Sequence, residues 1–265
     1  MLKVNNIKFC SLKTYSKPLA FKGNIEEDKT QFQILPDELY FIRMDDYRKD
    51  YGWAKNMNRV TYELSNMVRN NQDFDEIWEK ARDFISIARN DNLHGTIREY
   101  LKQFTIGEYG SRGFEYRQKY LDKIGENKKF SPKSNEEYKD ANVCEIRGNG
   151  PIHVIYGGRN YSDYLKLKNL VKKEYKKLKL NPNPTDKEIN RSLATIHWLI
   201  AQASPLSRGS DSFANLIVKS IYCAYDMKLT PAKIGISFDF EAFYSDLDEF
   251  IEKYPNLFEV PPSRN

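Results

Sequence analysis

Apolar residues recur along this chain at helical spacing in most stretches and alternate with polar ones in one. Phe74, Ile77, Trp78, Ala81, Phe84, Ile85 and Ala88 fall three and four apart, which predicts an amphipathic helix capped by Asp73. Val60–Val68 and Leu93–Phe104 read as further helical pieces, and YGSRGFEYRQKYLDKIG as a loop followed by a helix. After Gly157-Gly158 a long helix carries Tyr161, Tyr164, Leu167, Val171, Tyr175 and Leu178 on one face and lysines over much of the rest. Asn181-Pro182-Asn183-Pro184 ends it, because proline cannot continue a helix. Thr185-Asp186-Lys187-Glu188 is a capping box, so a fresh helix starts there with the stripe Ile189, Leu193, Ile196, Ile200 and Ala203. A last amphipathic helix is expected after Asp239, with Phe240, Phe243, Leu247, Phe250, Ile251 and Tyr254.

One region breaks this rhythm. VCEIR and IHVIY are short β-prone runs on either side of Gly148-Asn149-Gly150-Pro151, which predicts a hairpin. Leu39–Met44 is compatible with a short strand, residues 126–141 are polar and read as a mobile surface loop, and residues 1–35 read as an irregular arm or leader. The expected fold is mainly α, with one small β-hairpin and a buried central helix. The expected domain is a single helical unit over residues 36–260.

The stretch around which the rest is organised is His197–Tyr225, HWLIAQASPLSRGSDSFANLIVKSIYCAY. It holds a helix end, the loop Ser204-Pro205-Leu206-Ser207-Arg208-Gly209, and a second helix from Ser210 that is apolar almost all round. So little polar surface requires burial. The second helix opens on Gly209, Ser210 and Ser212, and the free amides of a first turn attract anions.

Composition narrows the field. The 265 residues carry 42 Lys+Arg against 37 Asp+Glu, a net charge of +5 that does not demand nucleic acid. Lys166–Lys179 reads as the solvated face of an amphipathic helix. Cys10, Cys144 and Cys223 share no metal-ligand spacing and fit a reducing compartment. No apolar run approaches a membrane span, and MLKVNNIKFC lacks a signal-peptide apolar core, which leaves delivery by a specialised injection machine open. HExxH, CxxC, GxGxxG and P-loop patterns do not occur, so no metal or dinucleotide site is expected.

The order hairpin, helix, capped helix, short loop, buried helix resembles the Fic/Doc group of helical proteins over residues 143–226. The signature of that group, H-P-F-x-x-G-N-G-R, is aligned here with Ser204-Pro205-Leu206-Ser207-Arg208-Gly209-Ser210-Asp211-Ser212. Proline, the bulky apolar residue and the first glycine agree. The base histidine is replaced by Ser204, the asparagine by Ser210, the second glycine by Asp211 and the arginine by Ser212. The pattern is closer to the AvrB type of plant-pathogen effector, which also lacks the histidine and resembles a sugar transferase in activity. The resemblance implies a group transferase acting on a protein target with a nucleotide or sugar-nucleotide donor, as an effector or toxin. Its alternative is a catalytically silent relative that binds a partner. In the Fic/Doc group the equivalent hairpin clamps the target peptide, so Gly148, Asn149 and Gly150 become candidate partner-binding residues, although a plain turn needs nothing else and is the preferred reading.

Within this frame the catalytic candidates are His197, Ser204 and Arg208, and the ligand-binding candidates are Gln202, Ser207, Gly209, Ser210 and Ser212. Arg208 either offers two parallel donors to a phosphate or carboxylate, or is a surface arginine near a helix start, where the dipole disfavours it without a bound anion. Serine takes no proton at neutral pH unaided, so Ser204 fills the base position without its chemistry. A histidine beside a tryptophan in an apolar helix, as His197 is beside Trp198, is more often a packed core residue than an acid or base. Gln202 and Ser204 either meet a ligand or satisfy backbone groups at the turn. Arg112-Gly113 and Arg159 are scattered additions to the same cleft.

Overall fold

The computed structural model describes residues 41, 51–89, 93–106, 111–125, 128–148 and 152–264. The expected arm at 1–35, the Leu39–Met44 strand apart from Phe41, and the turn residues Asn149 and Gly150 lie outside them. The described elements belong to one compact unit, Ile34–Asn265.

The architecture is helical around a small sheet, as the spacing of apolar residues predicts. Helices α1 (Tyr51–Arg69) and α2 (Phe74–Arg89) come first, then strand β1 (Gln103–Ile106) and helix α3 (Ser111–Ile124). Strands β2 (Lys129–Phe130), β3 (Glu145–Gly148) and β4 (Ile152–Ile155) follow. Helices α4 (Tyr161–Leu180), α5 (Asp186–Ala203), α6 (Ser210–Ala224), α7 (Phe238–Phe243) and α8 (Leu247–Lys253) complete the chain. The sheet is antiparallel, in the order β1-β4-β3-β2, with the predicted hairpin β3–β4 at its centre.

Helix α6 is the hub. It packs against α1, α5 and α2, and its Phe213, Leu216, Ile217 and Tyr222 are all fully buried. The Trp78 ring of α2 meets Phe213 edge-on at 4.6 Å, and its indole N–H donates to the Tyr164 hydroxyl of α4 at 2.7 Å. Helix α5 starts on the predicted capping box: the Thr185 side chain accepts from the Glu188 amide, and the Glu188 carboxylate accepts from the Thr185 amide. The Asp73 carboxylate takes the Asp75 amide at 2.7 Å, which caps α2 as expected.

Three expectations need correction. Leu93–Phe104 is not helical. Gly95 adopts φ +76°, and the segment lies extended along the α5–α6 loop before becoming β1. Its backbone finds partners in the loop and in β4, which outweighs helical spacing whose end residues Leu93 and Leu101 stay exposed. Within residues 126–141, the described part is anchored rather than loose. Lys129 and Phe130 pair with β3, and Tyr138 is buried with its hydroxyl donating to Glu174. Third, the C-terminal helix is two helices. Between α7 and α8 the Ser245 carbonyl accepts from the Trp198 indole N–H, and the Leu247 amide donates to the Lys133 carbonyl. Partners in other elements thus replace the helical ladder at the break.

The lysine face of α4 is tied down by acids. Lys168 contacts Glu79 at 2.8 Å, Lys172 contacts Asp75 at 2.6 Å, and Lys177 contacts Glu137 at 3.1 Å. Among the described residues no helix is long and apolar enough to cross a membrane, and no group of acids, histidines and cysteines could hold a metal ion.

Candidate functional site

The α5–α6 corner is held by backbone hydrogen bonds from two segments and by the side chain of Arg98. The extended segment at 94–98 runs alongside it: the Arg98 amide donates to Pro205 O at 2.9 Å and the Ser207 amide to Thr96 O at 3.0 Å. The turn after β4 docks on the end of α5, with the Gly157 amide on Gln202 O and the Gly158 amide on Ala203 O. A side chain at Gly157 would run into the backbone of Asn142 and Val143, which is why glycine stands there. Arg98, only 2% exposed, fastens the same corner: Nε and Nη2 donate to Ser204 O and Ala203 O at 2.9 and 2.7 Å, and Nη1 donates to Tyr100 O at 2.6 Å.

Inside the loop a hydroxyl relay sets the turn. Ser204 closes α5 in a left-handed conformation at φ +42° and donates to the Ser210 hydroxyl at 3.2 Å. Ser210 Oγ in turn accepts the Leu206 amide at 3.0 Å. Gly209 caps α6 at φ +87°, where a β-carbon would come within 2.6 Å of Ile85 Cγ2 and 3.3 Å of His94 Cδ2. Glycine answers both the positive φ and the close approach. The first turn of α6 takes no side-chain cap from its N-cap residue, Gly209. The Asp211 carboxylate stands in that turn and accepts from the Asn215 side chain at 3.1 Å.

A second ring of charge surrounds this turn. Lys102 Nζ donates to Ser207 O at 2.9 Å and sits 5.3 Å above the Tyr156 ring centroid, while Arg98 Cζ lies 5.8 Å from the same centroid. Burial, then the charges of Arg98 and Arg208, push the Lys102 ammonium down to about 8. The Tyr156 hydroxyl is driven well above its usual range, first by burial and then by Asp239, with Asp211 adding to it and Arg98 opposing. Arg208 itself is exposed.

Ser204, Ser207, Arg208, Gly209, Ser210 and Ser212 lie along the connection from the end of α5 to the first turn of α6. Gln202 is adjacent but fully buried, and both ends of its amide are occupied. Oε1 accepts the Cys144 amide at 3.0 Å and Nε2 donates to Ala242 O at 2.7 Å. It joins the sheet to α7 and meets backbone rather than ligand. His197 is not brought to the loop. It is fully buried with Nδ1 2.8 Å from the Tyr254 hydroxyl, caged by Phe238, Phe250 and Tyr254, and burial pulls its pKa down to about 4. A neutral ring in that cage is a core residue, and the catalytic role expected of it finds no support in its position. Gly148 ends β3, its amide donating to Lys128 O. Arg159 is exposed at the start of α4.

His94, Arg98, Lys102, Tyr156 and Asp239 were not legible as site residues in the sequence. No motif spacing links them to the loop, because a non-local backbone pairing carries the first three there.

Residues 153–261 match the AvrB/AvrC family model, Avirulence protein. Avirulence protein B of Pseudomonas savastanoi pv. glycinea is 37% identical over 70 residues, 26% of this chain and 22% of that protein. The chain thus matches about a fifth of that relative's length. The helical architecture with its small antiparallel sheet agrees with an AvrB-like helical domain. The avirulence-protein match includes Tyr156, Arg208, Gly209 and Asp239, whereas His94, Arg98 and Lys102 precede it. It does not restore the Fic signature, whose histidine, asparagine and arginine positions hold Ser204, Ser210 and Ser212.

Proposed function

We propose that the protein is a bacterial effector delivered into a host or target cell, where it transfers a group to a protein from a nucleotide or sugar-nucleotide donor. The observation that carries the reading is the turn at the start of α6, shaped by Gly209, with Lys102 donating to Ser207 O and Arg208 exposed beside it. Amides at a helix start and a guanidinium fork both suit phosphate oxygens. The partial likeness to Avirulence protein B supports the effector role. In this reading Arg208, Ser207, Gly209, Ser210 and Ser212 hold the donor's phosphates. The unit at 36–260 is the functional domain, and the β3–β4 turn at Gly148 is where a target strand docks.

The test is thermal denaturation with a panel of nucleotides and sugar nucleotides at millimolar concentration. At least one ligand raises the melting temperature by mass action on the native state. Arg208→Ala leaves the melting temperature of the free protein within the range of a surface change and removes the ligand-induced rise. No shift with any ligand, or an undiminished shift in Arg208→Ala, overturns the reading.

One observation favours a second reading, a catalytically silent protein that binds a partner. Ser204, at the base position, is 3% exposed and hydrogen-bonded to Ser210, so the loop presents no general base of its own. Captured partners then remain unmodified by mass spectrometry. A stoichiometric mass increase on the partner rules this second reading out.

A further inference from the structure

We propose that the outer edge of β1 docks an extended segment of the partner protein, which adds a strand to the sheet. The inference rests on action upon a protein, which both readings above share, and is independent of any ligand at the α6 turn.

The hairpin itself has no free side. β4 pairs with β1 and β3 pairs with β2, so a further strand can be added only outside β1 or outside β2. β2 is two residues long. The Gly148 amide donates to Lys128 O, so only Lys129 of β2 turns its backbone outward. β1 offers more. The Tyr156 amide donates to Lys102 O, and antiparallel bonds recur at every second residue. Phe104 and Ile106 therefore turn amide and carbonyl toward β4, while Gln103 and Thr105 turn theirs away. Among the described residues the outward amides and carbonyls of Gln103 and Thr105 have no backbone partner.

The two outward residues keep their side chains off this edge. Gln103 Nε2 lies 2.9 Å and Thr105 Oγ1 3.0 Å from His153 Nδ1, which holds both on the polar face of the sheet. Natural edge strands are commonly guarded by a charge, a proline or a bulge. β1 reads Gln103-Phe104-Thr105-Ile106, pairs with β4 without a bulge, and carries none of these guards. Tyr100 and Leu101, 51% and 56% exposed, stand just before it. The edge begins level with the β3–β4 turn, where Ile106 faces Ile152 and Ile152 faces Gly148. It ends at Lys102, whose Nζ donates to Ser207 O of the α5–α6 loop. A segment that docks at the turn thus runs along β1 to the loop.

The chemistry of the edge selects its occupant. Donors and acceptors repeating at every second residue match the backbone of an extended chain. Four residues span only about 13 Å. An edge that short brings far less than the roughly 1,200 Å² of a specific protein–protein interface, so it does not hold two copies of this chain together. It suits a peptide segment, in which main-chain bonds give the affinity and alternate side chains the selectivity. The matching segment is uncharged and rich in β-branched or aromatic residues, with an apolar side chain beside Tyr100 and Leu101.

The experiment is amide hydrogen exchange of the full chain, resolved to single residues by NMR. In the free protein Gln103 and Thr105 should exchange within about tenfold of the open-chain rate, and Phe104 and Ile106 at least about a hundredfold slower. Protection of Gln103 and Thr105 at every protein concentration means the chain covers its own edge, and overturns the proposal. Protection that grows with concentration overturns it in favour of a second copy.

Synthetic peptides recovered from a phage-displayed random library panned on the full chain then serve as probes. They should slow exchange at Gln103 and Thr105, and Thr105→Pro should weaken them by about tenfold or more, through the lost amide. Thr105→Val keeps that amide and should bind within about threefold. Gln103→Pro repeats the test if Thr105→Pro does not fold. Peptides that leave both amides unprotected, undiminished binding in the proline variants, or no recovered peptide overturns the proposal. A nucleotide-induced rise in melting temperature without edge protection removes the docking edge alone. Edge protection without any such rise keeps the edge and removes the transferase.

Discussion

Replacing His197 by glutamine should remove the part of this protein's acid sensitivity between pH 6.5 and 4 that comes from its buried imidazole. In the native state the ring is fully buried, Nε2 has no hydrogen-bond partner, and burial holds the pKa near 4 instead of 6.5. The unfolded chain takes up the proton near pH 6.5 and the folded chain only near pH 4. Below pH 6.5 the unfolded state therefore binds more protons, and stability falls as pH falls through this window. At pH 7.5 the term is absent. By pH 5 it amounts to about 2 kcal/mol, and by pH 4 to about 3 kcal/mol, after which it levels off. Glutamine can still meet the Tyr254 hydroxyl but does not titrate. Its poorer fit among Phe238, Phe250 and Tyr254 should cost about 1–3 kcal/mol at pH 7.5.

Urea unfolding followed by tryptophan fluorescence at pH 7.5 and pH 5 gives the answer, since Trp198 is the neighbouring residue and is buried. The stability gap between parent and His197→Gln should shrink by about 2 kcal/mol on moving to pH 5. The carboxylates that titrate in this range are common to both proteins, so the difference isolates His197. A gap independent of pH refutes the buried neutral ring. It would return His197 to the list of groups that ionise and are open to an acid–base role.

Three further substitutions test the loop and the helices that carry it. Gly209→Val should lose about 3 kcal/mol in denaturant unfolding, through strain at φ +87° and collision with Ile85, and an unchanged midpoint contradicts the loop geometry. Gln202→Ala leaves the Cys144 amide and the Ala242 carbonyl without partners, and should lower stability by about 3 kcal/mol while any ligand affinity per folded molecule is retained. A selective affinity loss would instead make Gln202 a ligand contact. Thr185→Ala removes the capping box of α5 and should cost about 1 kcal/mol by thermal unfolding, where no change argues against the cap.

The sequence by itself determined the features that are local. The capping box at Thr185, the end of α4 at Asn181-Pro182, the β3–β4 hairpin and the burial of α6 all follow from chemistry within a few residues or from one helix's own apolar surface. The loop motif was legible for the same reason: Ser204 to Ser212 lie next to one another on the chain. Only the tertiary structure decided what surrounds that loop. Leu93–Phe104 carries helical spacing, yet its backbone pairs with the α5–α6 loop and with β4, both far along the chain, and no local pattern encodes such partners. That pairing brought Arg98 and Lys102 to the site. His197 went the other way: its helix ends at the loop, but the ring lies about two turns back, and packing by α7 and α8 put it in the core. Local propensity chose the elements, while long-range backbone satisfaction and burial chose which charges meet.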